Sequence, residues 1–251
     1  MPTDHITLTI EDQLAILTLR RAHCIDIAGK QILTRLLRGL HEALGSARAL
    51  ILCATHPEAW LVNVAELAGM PSAEARAFSH NGHQLAAAIA DLPLPVIAAV
   101  DAPALGGGCE LVLACDVAFA GEQAKFGQIE ALGGAMPAFG GSWRLEERVG
   151  YQRALAMMFT AQVVDAETAK QYGIVLEVHS STELLDAAKA FVQRVATCSS
   201  QSVAAIKRVT RAGRGLPELA LNSLEEEAFP LLFGPEQQQR MQKFLEQQKS
   251  H

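Results

Sequence analysis

Apolar residues recur with strand-like and helix-like spacing along the first two thirds of the chain. The apolar runs 6–10 and 14–19 flank Glu11-Asp12-Gln13, which predicts a β-hairpin. Leucines and isoleucines between residues 29 and 44 fall on one face at helical spacing, which predicts an amphipathic helix. The same reasoning predicts strands at 49–53, 96–100, 116–120, 124–126 and 175–178, and helices at 72–90, 109–114, 150–159 and 165–171.

The last third of the chain has helical patterns only. Helices are predicted at 184–197, 201–212, 216–229 and 235–248. Alternating strands and helices followed by helices alone predict an α/β core, for which we take residues 1–195, and a C-terminal helical region, 196–251. The segment 57–70 is irregular and predicts a loop with one helical turn.

Composition narrows the possible classes of protein. Half of the 251 residues are hydrophobic, and the net charge is −6 without a basic stripe, which argues against nucleic-acid binding. No apolar run is long enough for a membrane span, and the first residues do not resemble a secretory signal. The five cysteines are scattered and lack metal-ligand spacing, so we expect no metal site and a reducing, cytoplasmic location.

The stretch with the clearest chemistry follows the buried strand predicted at 96–100. There Gly106-Gly107-Gly108 opens a helix, so several backbone N–H groups lack partners and lie at the positive end of the helix dipole. Such a site suits an oxygen that becomes negative. Glu110 lies on the first turn, and a second acid, Glu130, follows 20 positions later (130 − 110).

Each of these features also has a purely structural interpretation. Glu110 alone is compatible with an acid that favours the helix dipole, and Glu130 alone with an acid that caps the turn at Gly133-Gly134. The glycines are compatible with close packing of a helix on a strand, but they lack the Gly-x-Gly-x-x-Gly spacing of a dinucleotide site. The pairing of the two acids favours catalysis.

The chain resembles the crotonase (enoyl-CoA hydratase/isomerase) superfamily in a series of ordered motifs that cover nearly its whole length. These motifs are Pro95-Val96-Ile97-Ala98-Ala99-Val100, Ala104-Leu105-Gly106-Gly107-Gly108-Cys109-Glu110-Leu111, Ala114-Cys115-Asp116, Phe126-Gly127-Gln128-Ile129-Glu130, Pro137-Ala138-Phe139-Gly140-Gly141 and Ala166-Glu167-Thr168-Ala169.

The resemblance implies a fold, an assembly and a reaction. The fold would be a crotonase-like spiral of ββα units that forms a homotrimer, or a dimer of trimers, through the C-terminal helices. The substrate would be an acyl-CoA thioester, with coenzyme A as part of the substrate and no other cofactor. Backbone N–H groups of Val64 and Gly107 would form an oxyanion hole, and Glu110 and Glu130 would be the catalytic acids. The remaining implied substrate-binding residues are Trp60, Asn63, Gly106, Gly108, Met136, Pro137 and Ala138; for Trp60 and Met136 an ordinary core role is an equal alternative.

The sequence also departs from the family pattern. Asn63 stands at a glycine position, where its tolerance of left-handed backbone would preserve the turn, and Ala65 replaces an aspartate. Cys24-Ile25-Asp26-Ile27 replaces an Asn-Ala-Leu segment that helps to hold CoA, and Ala138 replaces a glycine. Gln247-Gln248 replaces a basic pair, which leaves only Lys249 nearby. Because CoA phosphates are usually bound by Lys or Arg, we leave open whether the thioester is carried on CoA or on a carrier protein.

These observations favour a hydratase, or the reverse dehydratase, of a 2-enoyl or 3-hydroxyacyl thioester. Two N–H donors would stabilise the enolate, and the paired acids would move a proton and a water, with one acid protonated near neutrality. An isomerase or decarboxylase on the same scaffold is the alternative, and a non-catalytic scaffold or RNA-interaction protein is a third class. Acyl length and stereochemistry are not encoded in these motifs.

Overall fold

The structure, a computed structural model, describes residues 5–43 and 47–248. The strands are β1 (Ile6–Glu11), β2 (Leu14–Leu19), β3 (Ala49–Ala54), β4 (Val96–Val100), β5 (Pro103–Leu105), β6 (Val117–Gly121), β7 (Lys125–Gly127), β8 (Val164–Asp165) and β9 (Glu177–His179). The helices are α1 (Ile27–Ala43), α2 (Ser72–Ala90), α3 (Gly107–Ala114), α4 (Gly141–Val149), α5 (Tyr151–Thr160), α6 (Ala166–Tyr172), α7 (Leu184–Thr197), α8 (Ser200–Ala212), α9 (Glu218–Ala228) and α10 (Pro235–Gln248).

Two sheets organise the core. The larger has the strand order β1-β2-β3-β4-β6-β9, in which β1 and β2 are antiparallel and the other neighbours are parallel. The smaller has the order β5-β7-β8. All five residues of β4 are buried, as expected of a parallel strand with both faces covered. The predicted α/β fold class is thus confirmed, and only the short strand β5 separates β4 from the glycine run.

The hairpin at the start of the chain is confirmed as well. Strands β1 and β2 pair up to Glu11 and Leu14, so the connection has two residues. These residues, Asp12 and Gln13, have φ angles of 45° and 71°. Positive φ at both central positions is the mark of a type I′ turn, whose twist suits two antiparallel strands.

Helix α4 was not predicted, although it is central to the site. Its buried residues are Gly141, Arg144, Leu145 and Val149, so only two of the four are apolar side chains. The apolar face of α4 consists of only Leu145 and Val149, which are too few to indicate a helix from the spacing of apolar residues. Strands β5 and β8, of three and two residues, were missed too, since they are too short to show alternation.

Helix α8 contacts the core through a half-buried ion pair. Nζ of Lys207 on α8 lies 2.7 Å from Oδ2 of Asp116 and donates to the carbonyl oxygen of Leu94 at 2.9 Å. The predicted boundary at residue 195 falls in the last turn of α7. Within residues 5–43 and 47–248, no helix combines the length and apolar character that crossing a bilayer requires. Lys249 and Leu44 lie outside the described residues.

Candidate active site

The glycine run forms a tight entry to a fully buried helix. Strand β5 ends at Leu105, and Gly106 then adopts a φ of 54°, which favours glycine. Its N–H donates to the carbonyl oxygen of Gly127 at 2.9 Å, which ties the turn to β7. Gly107 is the first residue of α3, so its N–H has no acceptor within the helix. The start of α3 therefore presents backbone donors that the helix itself does not use, as the sequence predicts.

The glycines also allow close packing, so both interpretations of the run apply. A β-carbon at Gly108 would lie 1.6 Å from the carbonyl oxygen of Trp60, and one at Gly107 would lie 2.6 Å from side-chain atoms of Val62 and Phe139. The side chain of Trp60 is fully buried. The structure therefore places Trp60 and Gly108 in the packing that brings the segment 60–62 against α3.

The segment after Trp60 ends in a single 3₁₀ turn, Val64–Glu66. Asn63 precedes this turn with φ −73° and ψ 100°, and its side chain accepts the N–H of Ala65 at 3.2 Å. The turn is preserved, but the tolerance of Asn63 for left-handed backbone is not used, because an extended N-cap forms the turn. Val64 is the first residue of the turn, so its N–H has no acceptor within it, and 72% of the residue's surface is exposed.

Glu110 is buried, with a relative exposure of 1%. Its Oε1 accepts the N–H groups of Phe139 and Gly141, both at 2.7 Å, and its Oε2 accepts that of Ala138 at 3.4 Å. Burial raises the pKa of Glu110, while these N–H donors and the charge of Arg144 act in the opposite direction. Three donors suit an ionised carboxylate, which can only accept hydrogen bonds.

The segment 138–141, whose N–H groups bind Glu110, is itself held in place by side chains from α2 and α4. Ser79 Oγ on α2 donates to the carbonyl oxygen of Ala138, and Arg144 Nη1 on α4 donates to that of Phe139, both at 2.7 Å. The ring of Phe139 packs on Gly82, where a β-carbon would lie 1.7 Å from a ring carbon. Ser79, Gly82 and Arg144 were not predicted, because nothing in their local sequence indicates contact with residues 138 and 139.

Glu130 lies above the turn that opens α3. A β-carbon at Gly106 would lie 3.1 Å from Oε1 of Glu130. The side-chain nitrogen of buried Gln128, placed so that it donates, lies 3.1 and 3.3 Å from the two carboxylate oxygens. Burial raises the pKa of Glu130 to about 7, and the nearby charge of Glu110 acts in the same direction. The structure thus brings both acids to the start of α3.

The remaining predicted residues lie on the loop between Glu130 and α4. Pro137 and Ala138 are half-buried next to the acceptor Glu110, whereas Met136 is 66% exposed and Leu132, on the turn Glu130–Gly133, is 79% exposed. Exposed apolar side chains beside a buried acid are suitable for contact with an acyl chain.

Comparison with known proteins supports the family that the sequence motifs indicate. The family model described as enoyl-CoA hydratase/isomerase matches residues 9–251. A crotonyl-CoA hydratase of Syntrophomonas wolfei is 31% identical over 100% of this chain and 98% of its own length. A short-chain-enoyl-CoA hydratase of Clostridium acetobutylicum is 30% identical, covering 99% of this chain and 97% of its own. The crystal structure of an enoyl-CoA hydratase from Bacillus anthracis superposes with a TM-score of 0.88 at 25% identity, covering 97% of each chain.

The chain therefore belongs to the enoyl-CoA hydratase/isomerase family, within the crotonase superfamily. The family and the fold predicted from the sequence are confirmed. The roles of individual site residues stay predictions, which the geometry above makes testable.

Proposed function

We propose that this protein is an enoyl-CoA hydratase that adds water across the double bond of a 2-enoyl thioester, or removes it from a 3-hydroxyacyl thioester. The observation that carries the proposal is that Glu110 and Glu130 lie at the start of α3, beside the N–H of Gly107, which has no acceptor within the helix. The names of two full-length relatives, crotonyl-CoA hydratase and short-chain-enoyl-CoA hydratase, support the same reaction.

Each part of the site has a distinct role in this proposal. The N–H groups of Gly107 and Val64 bind the thioester oxygen and stabilise the enolate. This stabilisation is stronger in the transition state than in the ground state. Ionised Glu110 takes a proton from water as its oxygen bonds to C3. Protonated Glu130 delivers its proton to C2. After one turnover the pair still holds one proton, now on Glu110, and the reverse reaction uses that form.

This arrangement predicts a bell-shaped pH dependence of kcat/KM. Both directions need the acid pair with one proton, so hydration and dehydration should share one profile. Since the pKa of Glu130 is raised to about 7, the pair loses this proton above neutrality, and kcat/KM should fall tenfold per pH unit on the alkaline side. Measuring both directions between pH 5 and 9 (about two units either side of that pKa) tests this. Profiles that rise with pH above 7 would contradict it.

A thioester panel tests the reaction itself. Crotonyl-CoA, a 3-enoyl-CoA and malonyl-CoA are incubated with the protein, and products are followed by mass spectrometry. We expect crotonyl-CoA to gain the mass of one water. Migration of the double bond without a mass change would favour the isomerase alternative, and loss of carbon dioxide the decarboxylase alternative.

The carrier of the thioester is the next part of the proposal. Asp26, in the segment that replaces Asn-Ala-Leu, caps α1 by accepting the N–H of Gly29 and pairs with Arg21 Nη2, both at 2.6 Å. The carboxylate of Asp26 is therefore hydrogen-bonded, and its charge is balanced by Arg21. This is compatible with CoA as well as with a carrier-protein arm. Repeating the panel with the same acyl group on both carriers distinguishes them; a clear preference for CoA removes the carrier-protein option.

We also propose that the protein works as a homotrimer, or a dimer of trimers, in the cytoplasm, with no nucleic-acid partner and no cofactor beyond the substrate's CoA. The support is an apolar surface on the proposed C-terminal region 196–251. Among its exposed residues are Phe229 (63%), Leu231 (73%), Phe233 (57%) and Phe244 (53%). A surface of this kind often marks a site of contact with another protein, and we propose that the partner is a second copy of this chain. Sedimentation velocity of the full chain gives the number of protomers.

A further inference from the structure

The structure contains a buried amine that the proposed reaction does not use. Lys30 on α1 has no exposed surface, and its Nζ has no hydrogen-bond acceptor among the described residues. Burying an unpaired charge is costly, and long charged side chains normally reach water or an acceptor. A fully buried lysine of this kind therefore needs an explanation beyond packing.

The ammonium group of Lys30 lies against two aromatic rings. Its Nζ is 3.3 Å from the ring centroid of Phe78 and 4.7 Å from that of Phe139. The two rings are themselves in contact, with centroids 5.2 Å apart. Attraction between a cation and a ring face is strongest where water is excluded, as it is here. Lys30 thereby links α1 to the ring of Phe139.

Phe139 connects this contact to the candidate active site. Its N–H donates to Glu110 Oε1 at 2.7 Å, and its ring closes against Gly107. We infer that Lys30 is a positioning residue, which fixes Phe139 from behind and so holds Glu110 and the start of α3 in their working geometry. This inference rests on the proposed hydratase function.

The charge of Lys30 has a second consequence, because it favours the ionised forms of nearby acids. Burial lowers the pKa of Lys30 to about 8, and the charges of Glu66, Asp26 and Glu110 act in the opposite direction. A lysine with this pKa is mostly protonated at neutral pH. The charged or titratable groups that face Lys30 and the acid pair are Asp26 before α1, Glu66 of the 3₁₀ turn, Cys109 and Glu110 on α3, Glu130 beside Gly106, and Arg144 on α4.

Lys30→Met separates positioning from ordinary packing. Removing a buried, unpaired charge should raise Tm by roughly 5 °C. Turnover should nevertheless fall about tenfold, at little change in KM, because the cation–ring contact is lost. Without the positive charge the pKa of Glu110 rises, so the acidic limb of the kcat/KM profile, which needs ionised Glu110, should move to higher pH by roughly half a unit to one unit. Lys30→Arg, which keeps the charge, should keep the wild-type profile.

Thr34→Val is the matched control. Thr34 lies one turn along α1, is also buried, and donates to the carbonyl oxygen of Lys30 at 2.8 Å, but it carries no charge. Its replacement should leave the pH profile unchanged. A Lys30→Met protein with lower Tm and an unshifted profile, or with unchanged kcat, would overturn the inference. Tm is measured without substrate, so it does not depend on the reaction. If Lys30→Met raises Tm but the wild-type protein does not hydrate the thioester, the proposed function has failed.

Discussion

Replacing Glu130 by glutamine should lower kcat for hydration by roughly two to four decades. Glutamine keeps the shape of the side chain and can still contact Gln128, but it cannot deliver a proton to C2. Because the carboxyl lies over Gly106 and not in the core, the folded structure should persist. Steady-state rates with crotonyl-CoA and a thermal melt measure both effects.

Glu122→Gln is the control for this substitution. Glu122 is an exposed acid in the turn between β6 and β7, so the same chemical change there should leave turnover and Tm as they are. Unchanged turnover in the Glu130→Gln protein would remove Glu130 from the mechanism, whatever the control shows.

Val64→Pro should lower kcat by about 100- to 1,000-fold, the usual effect of losing one oxyanion donor. Proline deletes the N–H of Val64 and little else. It is well tolerated at the first position of a helical turn, and Asn63 already has the extended backbone that precedes proline. Val64→Ala keeps the N–H and changes only an exposed side chain, so it should retain most of the turnover.

Melts of both Val64 variants complete this test. The prediction requires similar Tm values with very different kcat. Equal turnover in the two proteins would mean that the amide of Val64 does not bind the thioester oxygen.

Much of the fold follows from local sequence signals. The caps of α6 are both local, since the side chain of Asp165 accepts the N–H of Thr168 and Gly173 ends the helix with a φ of 83°. The bounds of α2, α7 and α10 agree with the predicted ranges. Such elements are specified by their own caps and apolar faces, so no knowledge of distant partners is needed.

The site was predictable only in part. Glu110 and Gly107 follow from the motif that opens α3, because one short stretch contains both a dipole and an acid. The contacts that orient Glu110 join distant parts of the chain: Ser79 and Ala138 are 59 positions apart, and Glu110 and Gly141 are 31 apart. Helix α4, whose first residue supplies one of these N–H donors, buries Arg144 in place of an apolar residue. The spacing of apolar residues therefore did not predict helix α4.

The central claim is that Glu110 and Glu130 act as one proton-transferring pair, and a double-mutant cycle tests it most directly. The kcat of hydration is measured for the wild type, Glu110→Gln, Glu130→Gln and the double variant under one set of conditions. If the acids act as a unit, the double variant should be about as slow as the slower single variant. Fold losses that multiply, or one single variant with wild-type turnover, would contradict the account.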